Sequence, residues 1–131
     1  KFKDPGVRKR LADAPDYPDV VRTAVKEMHR QVGDLQIDDQ GIATRGLLVR
    51  HLVMPHDLAG TRQVMEFLTK EVSTNTYVNV MNQYRPCGRA FEQSDINRSV
   101  TRQEYAQALD TATEAGITRL DERAAFRLKF Y

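Results

Sequence analysis

The sequence predicts an α/β domain with parallel strands joined by crossover helices and carrying a small inserted hairpin. Three observations lead there. Two short runs rich in branched residues, Gly46 to Pro55 and Tyr77 to Met81, are each followed by a stretch with apolar residues at helical spacing. The helices carry recognisable start and stop residues. The order helix, strand, helix, strand, loop, helix is the alternation that parallel sheets use, with right-handed crossovers and ligands beyond the carboxyl ends of the strands.

The elements follow in order. Asp16 precedes Tyr17-Pro18, where an aspartate can cap and a proline fits the first helical turn. Val21, Ala24, Val25, Met28 and Val32 then share one helix face, and Gly33 stands where the helix ends. Asp34 to Arg45 alternates around Asp38-Asp39-Gln40-Gly41 and reads as an inserted hairpin. Gly46 to Met54 is a nearly continuous apolar run ended by Pro55, which predicts a strand buried on both faces. Val64, Phe67, Leu68 and Val72 form the face of a second helix, and Tyr77-Val78-Asn79-Val80-Met81 is the second strand. Thr101 and Glu104 make a capping box ahead of Tyr105, Leu109 and Ala112, with Gly116 at the far end. Lys1-Phe2-Lys3 reads as the carboxyl end of a third strand, which leaves a small open sheet and a segment of a barrel as alternatives.

Composition narrows the function. The chain has 131 residues, enough for one domain, and its 20 basic and 18 acidic residues leave a net charge of only +2. So even a balance is too weak for the single-sign field of a nucleic-acid or membrane-surface binder, and no apolar run approaches the roughly 18 residues of a membrane helix. The single cysteine, Cys87, forms no internal disulfide and no metal knuckle, which fits reducing, cytoplasmic conditions. The first residues have neither an initiator methionine nor a signal-peptide layout, so residues 1–131 are expected to be a single incomplete domain of a longer protein.

Arg50 stands out among candidate site residues. A guanidinium inside a strand buried on both faces must either pair with a carboxylate on a neighbouring helix or reach a ligand. His51 points to the opposite face and reads as a hydrogen-bonded packing residue. His51, His56 and Asp57 match no metal-binding spacing, so no metal ligand is assigned. Cys87 lacks a partnered base and reads as a plain loop thiol. Arg85, Arg89, Arg98 and Arg102 are offset by Glu92 and Asp95, which favours a solvated loop. Asn82-Gln83-Tyr84-Arg85, at the carboxyl end of the second strand, is the other candidate site.

Three segments carry a family resemblance: Glu27 to Asp34, Gly46 to Pro55 and Tyr77 to Pro86. In their order and spacing they resemble the C-terminal portion of radical SAM proteins, specifically the group of pyruvate formate-lyase activating enzymes. The resemblance implies the C-terminal half of a partial (β/α)6 TIM-like barrel. It also implies an oxidoreductase whose [4Fe-4S] cluster, held by C-x-x-x-C-x-x-C, cleaves S-adenosylmethionine (SAM) to a radical that abstracts hydrogen from a partner protein, a glycyl-radical enzyme. With Cys87 as the only cysteine, the cluster motif is missing, so this chain alone is expected to be inactive and to bind no cofactor by itself. Residue by residue, Lys1 matches the lysine of a D-x-K strand end near the SAM. Arg50 matches an arginine that contacts the SAM, and Tyr84 stands where the family has a SAM-proximal histidine. Those three are the expected cofactor-binding residues, and no catalytic residue is assigned. The expected partners are the missing N-terminal half and the protein substrate. A half-barrel alone is also expected to self-associate into a homo-oligomer through its exposed strand edge. The reading from a different class is a stand-alone, non-catalytic α/β interaction module.

Overall fold

A computed structural model describes residues 16–121. Helix α1 spans Tyr17–Val32, strands β1 (Gln36–Ile37) and β2 (Ala43–Arg45) form the hairpin, and β3 spans Leu48–Leu52. After a 3-10 turn at Pro55–Asp57 comes α2 (Thr61–Phe67), which widens into a π-helical stretch over Leu68–Val72. Strand β4 (Tyr77–Met81), a 3-10 turn at Gly88–Glu92, α3 (Arg102–Glu114) and β5 (Arg119–Leu120) complete the order.

β3, β4 and β5 form a parallel sheet in that spatial order, and β1 and β2 form a separate antiparallel pair. Paired residues in a parallel sheet share a face, so the register Val49 with Val78 and His51 with Val80 puts these four on one side. That side packs against Met65, Phe67, Leu68, Tyr105, Ala108 and Ala112 of the helices and makes the main core. The alternate set, Leu48, Arg50 and Leu52 with Tyr77, Asn79 and Met81, faces away from the helices.

This arrangement corrects the barrel expectation. The described residues make an open three-stranded sheet with no barrel closure, not half of a (β/α)6 TIM-like barrel. Closure needs strands of matched length, tilt and stagger, whereas β5 has two residues and β3 is the last strand on its side of the sheet among the described residues. The third strand, β5, lies at the far end of the sequence; Lys1-Phe2-Lys3 lies outside the described residues. β3 is likewise not buried on both faces: Leu48 is 38% exposed and Arg50 is exposed, because among the described residues no second layer covers that side.

Local signals explain the other elements. Thr101 Oγ1 accepts from the Glu104 N–H at 3.1 Å while the Glu104 carboxylate accepts from the Thr101 N–H at 2.9 Å, so the capping box forms in both directions. Pro18 occupies the first turn of α1, but the Asp16 side chain makes no capping bond. The apolar stripe of α1 packs only partly: Val25 touches the core, while Met28 is 52% exposed and no residue of the helix is fully buried. Gly46 has φ +107 and lies so close to the Asp34 carbonyl that a side chain there would collide with backbone.

Candidate functional site

The helix-free face of the parallel sheet is closed at its amino end. Arg119 donates Nη2 to the Leu35 carbonyl at 2.9 Å and stacks 5.4 Å from the centre of the Tyr77 ring, so Leu35, Tyr77 and Arg119 cover that end. Asp34 helps to hold it, taking hydrogen bonds from His29, Asn75 and Ser73. Burial pushes the Asp34 carboxyl up, but these bonds together hold it below its ordinary value.

Towards the carboxyl end, the same face carries Arg50, Leu52, Asn79 and Met81, with Arg50 directly across from Asn79. Among the described residues the side chains of Arg50 and Asn79 have no hydrogen-bond or ion-pair partner. Of the two alternatives open for Arg50, the bond to a helix carboxylate is not made among the described residues. A planar five-donor fork beside an amide, with two apolar side chains flanking them, can hold a carboxylate or hydroxyl-bearing ligand with an apolar body.

His51 takes the opposite face, as strand alternation requires. It is buried, with Nε2 3.1 Å from Thr61 Oγ1. Tyr84 lies in the loop after β4, but its hydroxyl donates to the Ile96 carbonyl at 2.9 Å and its ring packs beside Met54, Ala59 and Ile96. Burial, then the proximity of Cys87 and Asp95, raises its hydroxyl pKa, so Tyr84 is a neutral loop anchor. The structure gives it no hydrogen bond to Arg50. Lys1, the third expected SAM contact, lies outside the described residues.

A second constellation sits at the carboxyl end of β3, on the helical side. His56 and Asp57 both have positive φ, +58 and +52, which is costly for residues other than glycine. Glu104 holds them there, accepting from the His56 backbone N–H at 2.8 Å and from Arg98 through a fork of 2.8 and 2.7 Å. Arg98 Nη2 also donates to His56 Nε2 at 3.2 Å. The Arg98 guanidinium above all, with the Thr101 and His56 N–H groups against the opposing effect of burial, holds the Glu104 carboxyl far below the usual range. Asp57 accepts from the Thr61 N–H at 2.9 Å, and a cleft of about 370 Å³ opens between this loop and α3. Arg98 is thus a structural partner and not a free cation.

Asn79 and the Arg98–Glu104–His56 network were not singled out from the sequence as a site. The position of Asn79 opposite Arg50 becomes legible once β3 and β4 are in register, and the long-range bond from His56 to Glu104 has no local signal. Cys87 is exposed, and among the described residues no grouping of three or more His, Cys, Asp or Glu could hold a metal ion. Among the described residues no helix is long and apolar enough to cross a membrane.

Comparison with known proteins adds one relative. The chain is 34% identical over 113 residues to an uncharacterized protein of Methanocaldococcus jannaschii. The match takes in 86% of this chain but only 29% of that protein's length. No family model matches the chain, and no solved structure matches it.

Proposed function

We propose that this chain is the carboxyl-terminal portion of a radical SAM protein similar to pyruvate formate-lyase activating enzymes, and that Arg50 contributes to its SAM pocket. The observation that carries the reading is the Arg50 guanidinium, without a partner among the described residues, on the helix-free face of a parallel sheet, beside Asn79 and towards the carboxyl ends of the strands. Parallel sheets are ordinarily covered on both faces, so a face that the described residues leave open, with a cation they do not pair, fits a surface made for a ligand. The resemblance of the segments Glu27 to Asp34, Gly46 to Pro55 and Tyr77 to Pro86 supports it, as does the match to only part of a longer relative.

The donor set fits SAM in part. The Arg50 fork can take its carboxylate, Asn79 can bond a polar edge, and Leu52 and Met81 offer an apolar surface. The iron–sulfur cluster does not fit, since Cys87 cannot supply three thiolate ligands; in the longer protein that group belongs to other residues. Together SAM and a reduced cluster supply a hydrogen-abstracting radical, and the role of this chain is to bind and orient the SAM. A protein bearing the glycine to be activated is the substrate this reading implies.

The test is SAM titration by calorimetry on the full-length protein and its Arg50→Lys variant. Lys keeps the charge but not the fork, so losing a charged hydrogen bond of roughly 1.5–3 kcal/mol should weaken binding about ten- to a hundredfold. The melting temperature should stay unchanged, because Arg50 bonds to no described residue. Equal affinity in the two proteins would overturn the reading and leave the non-catalytic interaction module.

A further inference from the structure

The loop between β3 and α2 has two sides with different neighbours. Its first half carries the left-handed His56 and Asp57 and lines the cleft on the helical side, where Glu104 of α3 accepts from the His56 N–H at 2.8 Å. Its second half, Ala59 and Gly60, lines a different hollow, a groove of about 700 Å³ that also takes in Arg50, Leu52 and Met81 of the proposed SAM surface.

The two halves are bonded to each other. The Gly60 N–H donates to the Asp57 carbonyl and the Thr61 N–H to Asp57 Oδ1, each at 2.9 Å. Thr61 Oγ1 lies 3.1 Å from His51 Nε2, which ties the start of α2 to β3 one residue beyond Arg50. Three of the five residues from His56 to Gly60 have positive φ, so the segment is one tight left-handed elbow whose direction depends on all three. Glycine adopts this conformation freely at position 60, whereas His56 and Asp57 have to be held in it by their surroundings. Glu104 supplies that hold from 48 residues along the chain.

We propose that Glu104 is a positioning residue for the ligand surface around Arg50: by holding His56 and Asp57 left-handed, it fixes where Ala59 and Gly60 stand as a wall of the groove. The effect on SAM rests on the reading of that surface as a SAM pocket, whereas the hold of Glu104 on the groove wall rests on the hydrogen bonds alone. Glu104 itself touches no ligand in this scheme. An elbow that is correctly placed only part of the time weakens binding by that fraction, because apparent affinity scales with the population of the competent state.

The test uses the full-length protein and two variants that attack the elbow from opposite sides. Glu104→Ala removes the acceptor, and His56→Val strains the left-handed position while leaving the Arg98–Glu104 pair in place. At a temperature where all are folded, each should bind SAM about tenfold more weakly by calorimetry and move the amide resonances of Ala59 and Gly60. Glu104→Ala combined with His56→Gly should return to within about threefold of wild-type affinity, because glycine needs no holding at that φ. A residue that only stabilises the fold would lower the melting temperature and leave resonances and affinity unmoved, and that result would overturn the proposal. Weakened binding that His56→Gly fails to recover would overturn it too, as would unchanged affinity in both variants when Arg50→Lys does weaken binding. If Arg50→Lys and both variants all bind SAM as wild type does, the SAM reading fails by itself. Moved Ala59 and Gly60 resonances then still uphold the hold of Glu104 on the groove wall, and unmoved ones overturn it.

Discussion

Glu104 gathers more of the structure than any other surface carboxylate described here, and replacing it with glutamine tests how the loop after β3 is held. Its two oxygens accept from Arg98 twice, from the Thr101 N–H and hydroxyl, and from the His56 N–H, at 2.7 to 3.1 Å. Glutamine is nearly isosteric but keeps one acceptor oxygen. If that oxygen stays with His56, then both Thr101 donors lose this acceptor and Arg98 Nη1 keeps only the Ser99 carbonyl. The Arg98 and Glu104 side chains are 34% and 20% exposed, so solvent screening trims the charged pair to about 1–1.5 kcal/mol, and the weakened cap adds about 0.5–1. A loss of about 2 kcal/mol should lower the melting temperature by roughly 6–10 °C for a chain of this size. The sign with pH follows from the depressed carboxyl: the contribution is complete above the unfolded pKa of about 4.3 and is lost as pH falls towards the lower folded value. Thermal melts of wild type and Glu104→Gln, followed by far-UV circular dichroism, should therefore differ most above pH 5 and converge towards pH 2. A gap that stays constant down to pH 2, or a loss under about 2 °C at pH 7, would refute the reasoning.

Three further outcomes complete the set. Gly46→Ala drives a methyl group into the Asp34 carbonyl at a position with φ +107, and should cost about 3 kcal/mol or more, read as a lowered urea midpoint with unchanged slope. At His56, φ +58, a β-branched Val should lower the melting temperature by several degrees, whereas Gly, which adopts this conformation freely, should leave it level or raise it; equal losses would show that the His56–Arg98 contact dominates. Anaerobic reconstitution of this chain with iron and sulfide should leave iron at background, since three thiolates cannot come from Cys87 alone; a stable four-iron cluster seen by Mössbauer spectroscopy would contradict the division of labour proposed above.

What the sequence by itself determined is local. The start of α1 near Pro18, the hairpin around Gly41, the capping box at Thr101 and the opposite pointing of Arg50 and His51 follow from backbone geometry within a few residues, so neighbouring side chains specify them. Tertiary structure decided the rest. Whether β3 is buried on both faces depends on a layer that no residue of β3 encodes, and a continuous apolar run reads the same for a central strand and an open edge. The two-residue β5 has too little pattern to be seen before Arg119 and Leu120 find Tyr77 and Val78. Tyr84 became an anchor when its hydroxyl met the Ile96 carbonyl, and Glu104 came to hold a left-handed His56, across contacts of 12 and 48 residues. Such contacts are set by how helices dock on the sheet, and periodicity along the chain carries no record of that docking. Arg50 shows both halves: alternation sets its face, and only the packed sheet left that face open.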